Sequence, residues 1–431
     1  MTAKEILVLV EEEDVEFIRL QFTDMFGTLK NIAVTAKQLP HVLEHHYSID
    51  SFALYGEDND SDEDFYLNPD LDTFVLLPWR PQQGKVARLL CDIYDENGDI
   101  WEGSPRTILK RVLTKAKEKG YEFLIKPECQ FFLFHSDEDG MPTTITHEKA
   151  GYFDVGPTDL GENARRDMVM TLEEMGFEIE ASYHEKAPAQ HGVDFKAGEP
   201  LAIADSIITF RNAVRSIARR FGLYASFMPK PKKDVAGSSM YLNFSVYKNR
   251  TSIFELEDEE LCKEGMYFIG GMLEHTNALC AITNPLVNSY KRICASRELL
   301  TQMTWGIKKK NTMLSLEKKA GEDASITFRL PDSAANPYVA LALCIAAGMD
   351  GLEKQKEPIT ISHSMDAKNC RANQLPQTLN EAIEELQQDT LVKEVLGEPF
   401  FLSYYKEKQK EWKEYMEEIT DWEIQKYLNQ A

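Results

Sequence analysis

Several signatures that would have settled a function are missing from the 431 residues. There is no His-Glu-x-x-His, no Cys-x-x-Cys, no Walker A segment and no Gly-x-Gly-x-x-Gly. Zincin proteases, paired-thiol redox proteins and P-loop or Rossmann nucleotide sites therefore have nothing to stand on. Positive charge is in deficit, with 48 Lys and Arg against 71 Asp and Glu and a net charge of −23. A general nucleic-acid binder needs a basic face to neutralise phosphates, so the balance argues for no nucleic-acid partner. The seven cysteines are scattered and odd in number, and read as reduced thiols of a cytoplasmic protein. Met1-Thr-Ala-Lys-Glu5 has no charged-then-apolar signal layout. The longest apolar run, Val339 to Met349, is too short to span a bilayer and reads as a buried helix, so no membrane is expected. Repeats and low-complexity linkers are absent. What remains is a globular composition, 43% hydrophobic and 28% charged, long enough for two or three domains.

The richest stretch is Ser182 to Phe195, which gathers His184, Glu185, His191 and Asp194 in fourteen residues. Val193 and Phe195 alternate with polar neighbours, so its second half reads as a strand with two different faces. By spacing alone it is equally a site strand and an ordinary polar strand. Upstream, Val15 to Phe22 alternates with period two, and Gly27 turns the chain into a second strand through Lys30 to Val34. Thr73 to Pro78 reads as a further strand. Asp58, Asp60 and Asp62 open like a calcium loop, but Glu63 replaces the required glycine and Pro69 the twelfth ligand, which leaves a solvated acidic loop. Ser104-Pro105 starts a helix over 105–119, Tyr121 to Phe134 is an aromatic-rich strand, and Gly161 to Met175 is helical. Another helix is expected from Asp205 to Gly222, then a strand over Leu223 to Met228, and Gly237 to Tyr247 reads as a small-residue turn leading into a strand. The last third reads as helical. Thr378-Leu-Asn-Glu381 forms a capping box there, and Phe401, Tyr405, Trp412, Met416 and Ile419 form an apolar stripe.

Collinear motifs then become specific. Gly151-Tyr-Phe-Asp-Val-Gly-Pro-Thr-Asp-Leu-Gly-Glu-Asn-Ala-Arg-Arg-Asp167, Phe227-Met-Pro-Lys-Pro231, Thr283-Asn-Pro-Leu-Val-Asn-Ser-Tyr-Lys-Arg292 and Ala334-Ala-Asn-Pro-Tyr338 closely resemble the bacterial glutamine synthetase family. Phe22 to Asn31 and Asn68 to Phe74 fit as well, so the resemblance spans nearly the whole chain. It implies an α+β fold: a β-grasp-like N-terminal domain (1–103) and a catalytic-type domain with a curved antiparallel sheet and helices (104–431). It also implies a homo-oligomer of two stacked hexameric rings with sites between neighbouring subunits. The family's chemistry uses ATP and Mg or Mn to phosphorylate the γ-carboxylate of glutamate, after which ammonia displaces phosphate.

The resemblance also supplies a ligand set, five glutamates and one histidine for two metals, and this chain departs from it. In Pro127-Glu128-Cys129-Gln130, Glu128 survives and the second glutamate is Gln130. Glu185 survives, but the position after Gln190-His191 is Gly192. The histidine of Gly-Ser-x-Met-His is Tyr241, and the glutamate before Arg329 is Thr327. Two ligands of six remain. Their formal charge of about −2 against roughly −5 for the full set is poorly matched to two divalent ions. By the same resemblance, Arg292 and Arg329 lie near glutamate and phosphate, Asn243 and Ser245 near the nucleotide, and Asp50 and Glu298 are the catalytic acids. The glycine and serines around Asp50 are replaced, as are the flap residues around Glu298, and Lys308 to Lys310 stand where the family has arginines.

Each survivor also has a plain reading: Glu128 paired with a lysine or arginine, Arg292 and Arg329 as structural ion-pair partners, Asn243 and Ser245 satisfying backbone groups, and the lysines as a solvated loop. The leading expectation is a catalytically impaired homologue kept for assembly, regulation or sensing of glutamate or nucleotide, with metal and ATP binding weakened or lost. The alternative is an active ATP-dependent carboxylate–amine ligase with reduced metal dependence.

Overall fold

The structure is a computed structural model that describes residues 1–55, 63–80, 83–257, 260–295, 303–309, 311–318, 321–358 and 374–430. The acidic loop with Asp58, Asp60 and Asp62, the flap residue Glu298 and Lys310 lie outside the described residues.

The N-terminal half is built on one five-stranded sheet. β1 (Val15–Thr23) and β2 (Leu29–Thr35) form the expected hairpin. Its turn depends on Gly27, at φ +83°, and on the Asp24 carboxylate, which accepts the Phe26 and Thr28 amides at 3.0 and 2.8 Å. β3 (Tyr47–Asp50), β4 (Asp64–Leu76) and β5 (Lys85–Tyr94) complete the order β2-β1-β5-β4-β3, with β1 and β5 parallel. The strand expected from Thr73 is thus the end of a longer one. Ile18 and Leu20 of β1 meet Ile6 and Val10 of the helix Ala3–Glu12 in a separate apolar core. Each such buried side chain stabilises by about 1.5–3 kcal/mol.

The second half is organised around β6 (Tyr121–His135). β7 (Ile179–His184), β8 (Gln190–Phe195), β9 (Leu223–Ser226) and β10 (Met240–Lys248) follow. After three two-residue strands, β11 (Thr251–Ser252), β12 (Leu256–Glu257) and β13 (Glu260–Leu261), come β14 (Trp305–Ile307), β15 (Leu314–Glu317) and β16 (Ser325–Phe328). The main path runs β14-β15-β16-β10-β6-β8-β7. Period-two alternation buries Phe123, Ile125 and Cys129 against helices on one face and leaves Lys126, Glu128 and Gln130 on the other. The helices Pro105–Glu118, Pro200–Arg220, Lys263–Thr283 and Pro337–Lys354 supply the large core. The run Val339–Met349 is buried throughout, as an internal helix should be.

Three local expectations are corrected. The helix expected from Asp205 begins five residues earlier, because Pro200 fits the first turn without needing an amide hydrogen. Glu381 reaches the Gln377 amide at 2.7 Å rather than the Thr378 amide, so the box is displaced by one residue. The final stripe is buried only at its start: Phe401 is inside, whereas Met416 and Ile419 are 62% and 75% exposed.

Candidate functional site

Strand register brings the positions that the resemblance names as ligands together on one sheet face. Glu128 on β6 stands opposite Asp194 on β8 and Tyr241 on β10. Gln130 stands opposite Gly192, which in turn faces Tyr183 on β7. Asn243 on β10 pairs with Thr327 on β16. Glu185 follows β7 directly and is buried.

The side chains are already engaged with one another. Gln130 Nε2 donates to Glu185 Oε1 at 2.6 Å, and its Oε1 accepts the Ser239 amide at 2.8 Å. Those two partners fix the amide orientation, since a flip would set an oxygen against a carboxylate and an NH2 against an N–H. The surviving ligand Glu185 therefore faces a donor where the family presents a carboxylate. Burial raises the Glu185 pKa, which the Gln130 bond only partly offsets. Glu128 Oε1 accepts from Asn243 Nδ2 at 3.1 Å, and Thr327 donates its hydroxyl to Asn243 Oδ1. The lysine or arginine partner envisaged for Glu128 is replaced by this amide, while neighbouring Lys126 pairs with Glu180.

The missing ligand at 192 has a physical counterpart. A Cβ on Gly192 would lie 2.7 Å from Tyr183 Cε2 and 2.9 Å from its Cζ. The tyrosine ring fills the volume that a side chain at 192 would need. Its hydroxyl donates to Asp194 Oδ1 at 3.1 Å, and Tyr152 and Phe153 meet its ring edge-on. Burial, with Glu128 nearby, pushes Asp194 up to about 7. Burial also raises the Tyr241 phenol above its ordinary value, which keeps it from serving as an anionic ligand near neutrality. Tyr183 was not among the candidate residues, and Asp194 was noted only as part of the polar stretch, with no role. The unexplained loss of a side chain at 192 was the available signal, because a buried strand does not leave that space empty.

The arginines are held by the scaffold. Arg292 is buried, and donates to Ser239 Oγ at 2.8 Å and to the Leu330 carbonyl. Arg329 pairs with Glu317 at 2.8 Å, with its guanidinium 5.9 Å from the Tyr241 ring. Ser245 follows Asn243 on the same face of β10. Asp50 is exposed at the end of β3, the outer strand of the N-terminal sheet, and accepts the Ala53 amide at 3.2 Å. Among the described residues no bond joins it to the catalytic sheet.

These residues do not fit two divalent ions. Glu128 and Glu185 are the two carboxylates left among the six positions and each accepts an amide donor at Oε1, Asp194 beside them accepts from Tyr183, and Gly192 offers no ligand atom. A separate buried group, Glu148, Asp159, His184 and His191, places potential ligand atoms within 4.8 Å of one another. Arg165 sits among them, 2.8 Å from Asp159 and 2.7 Å from His191 Nδ1. His184 donates from Nδ1 to the Glu185 carbonyl at 2.7 Å and pairs through Nε2 with Glu148 at 2.5 Å. Burial and the adjacent Arg165 drive His191 down to about 3, so it is neutral and accepts from the guanidinium. A cation would have to displace that guanidinium, so the group reads as a hydrogen-bonded network behind the site strand, with His191 Nε2 left buried and without a partner.

A β-grasp sheet joined to a curved sheet that is antiparallel except where β14 pairs with β15, with acidic strand positions converging on one face, defines the class: a ligase scaffold of the glutamine synthetase type. Family models agree, "Glutamine synthetase, beta-Grasp domain" over residues 14–96 and "Glutamine synthetase, catalytic domain" over 102–427. The chain belongs to the glutamine synthetase family. It is 45% identical to a curated glutamine synthetase of Clostridium saccharobutylicum, covering 99% of each chain. It is 40% identical to that of Thermus thermophilus, again over 99% of each. A solved structure described as apo GmaS without ligand superposes with a TM-score of 0.88 at 28% identity, covering 98% of this chain and 99% of that one. The Plasmodium falciparum glutamine synthetase shares the fold, with a TM-score of 0.87 at 23% identity over 99% of each chain. No helix among the described residues is long and apolar enough to cross a membrane.

Proposed function

We propose that this chain is a ring-forming glutamine synthetase homologue whose former metal face is held together by side chains instead of two divalent ions. It serves as an assembly, regulatory or ligand-sensing subunit, with metal-dependent phosphoryl transfer strongly impaired. The observation that carries the reading is the 2.6 Å bond from Gln130 Nε2 to Glu185. It points a proton at the carboxylate that would otherwise hold a metal. Tyr183 over Gly192 supports it independently. No chemical step is routed through the metals, because the ligands present do not suit them.

A second reading is an active ATP-dependent carboxylate–amine ligase working with fewer ions. It is favoured by 45% identity over 99% of a curated glutamine synthetase, and that likeness speaks more strongly for a ligase than for its loss. One pair of measurements separates the two. Calorimetry with Mn²⁺ and Mg-ATP counts ions per subunit, and a γ-glutamyl transfer assay measures turnover. The first reading expects fewer than two bound ions and turnover at least about a thousandfold below an intact relative, the scale of losing even one well-placed charge-stabilising group. Two tightly bound ions with turnover would establish the ligase instead.

A further inference from the structure

A cavity of about 460 Å³ lies between the N-terminal sheet and the helix Pro200–Arg220. Its walls are the β1–β2 turn, the segment after β4, the helix Pro200–Arg220 and β9. Four arginines line it, Arg19, Arg80, Arg211 and Arg215, and no aspartate or glutamate does. In a chain with 71 acidic residues against 48 basic ones, that reversal of sign needs a cause.

The arginines lack the partners that usually justify them. Arg19 Nη1 donates to Asn31 Oδ1 at 3.1 Å, and Arg215 lies 5.1 Å from the centre of the Phe227 ring. Arg211 is buried and donates to the Ala335 carbonyl at 2.8 Å. Among the described residues none of the four has a carboxylate within ion-pair distance. Arg106, as buried as Arg211, has three. Burial, reinforced by the neighbouring Arg215, pulls Arg211 down to about 10. Arg211 and Arg215 are one helical turn apart, so two like charges project from one face of the helix without compensation. Only Arg211 of the four is buried, Arg19 being half-buried and Arg80 and Arg215 exposed; a buried charge without a counter-charge is costly, and an anion in the cavity would relieve it.

We propose that this cavity is a binding site for a small dianion, a dicarboxylate or a phosphate monoester. The guanidinium forks match either group bidentately, and Asn212 and Ser226 in the same wall add neutral polar groups. The volume suits a small metabolite. Because Arg19 and Arg80 belong to the N-terminal sheet and the segment after it, and Arg211 and Arg215 to the helix Pro200–Arg220, the ligand would tie the N-terminal sheet to the larger core. This site does not depend on whether the metal face is active.

The test is calorimetric titration of the intact protein with inorganic phosphate and, separately, with succinate, in a low-salt buffer free of either anion. One saturable site per chain for at least one probe is expected, with a rise in melting temperature. Phosphate alone would assign a phosphate monoester, and succinate alone a dicarboxylate. Arg80→Ala and Arg215→Ala, both at exposed positions, should each weaken binding by about tenfold, the size of one charge-assisted contact. Arg219→Ala, on the same helix but outside the cavity, should leave it within about twofold. Absence of saturable binding by either anion overturns the proposal. So does binding that survives both arginine substitutions unchanged.

Discussion

At the scale of single residues, the site is a set of substitutions that compensate one another. A glutamate introduced alone by Gly192→Glu must push into the Tyr183 ring, since even its Cβ would sit 2.7 Å from Cε2. Such overpacking costs about 1–3 kcal/mol, and Gly192→Glu should lower the melting temperature without raising Mn²⁺ affinity. Adding Tyr183→Ala opens the volume, so the double variant should recover stability. Restoring Gln130→Glu, Thr327→Glu and Tyr241→His on that background should then raise Mn²⁺ affinity measured by calorimetry. If all five changes together leave affinity unchanged, the assignment of these positions to a metal face is wrong. The lost ligands were legible from the motifs around Glu128, Glu185 and Arg329. What replaced them was not, because Tyr183 and Gly192 are joined by strand register, and sequence order does not state which residues face one another across β7 and β8.

At the scale of elements, the period of the hydrophobic pattern located most strands and helices, and errors gathered at their ends. Pro200 illustrates this: propensity places it outside a helix, yet the first turn tolerates it. Contacts between helices were the less legible layer. His275 on the helix Lys263–Thr283 bonds Asp389 at 2.6 Å and Asp350 of Pro337–Lys354 at 3.2 Å. Asp389 also caps the helix Thr390–Leu396 by accepting the Val392 amide at 3.0 Å. Burial is the largest influence on His275 and depresses its pKa, but the bonds to Asp389 and Asp350 and the charges of both carboxylates together outweigh it, and the net shift is upward. Its contribution is therefore complete below the unfolded value of about 6.5 and disappears as pH rises through the folded value. Asp389 is shifted down, because His275 and the Val392 and Leu391 amides together outweigh burial, so its contribution is lost as pH falls through its own folded value. The joint is strongest between about pH 4 and 6.5. Thermal unfolding of His275→Gln should fall further below the parent protein at pH 5.5 than at pH 8.5. An equal gap at both values would show that the histidine acts there through shape alone.

At the scale of the whole molecule, the two halves are joined by a buried electrostatic knot as well as by apolar contact. Arg106, in the first turn of Pro105–Glu118, reaches Asp70 of β4 at 2.7 Å, Asp92 of β5 at 2.8 Å and Asp205 of Pro200–Arg220 at 3.0 Å. Tyr338 donates to Asp205 at 2.6 Å, and Asn336 Nδ2 reaches the Met25 carbonyl at 3.2 Å. The motifs around Asp70 and Tyr338 marked both ends of this joint as family features, but only the fold shows that one arginine connects them. Removing it leaves three carboxylates converging with only Lys110 to offset them at Asp92 and Asp70. Breaking a buried pair on one side costs about 3–5 kcal/mol. Arg106→Met should therefore lower stability by that amount and uncouple the N-terminal sheet, which scanning calorimetry would record as a separate, earlier transition. Arg106→Lys should rescue only part of the loss, because an ammonium cannot serve three carboxylates with a planar fork. A single unfolding transition with unchanged stability in Arg106→Met would assign the union of the two halves to apolar packing instead.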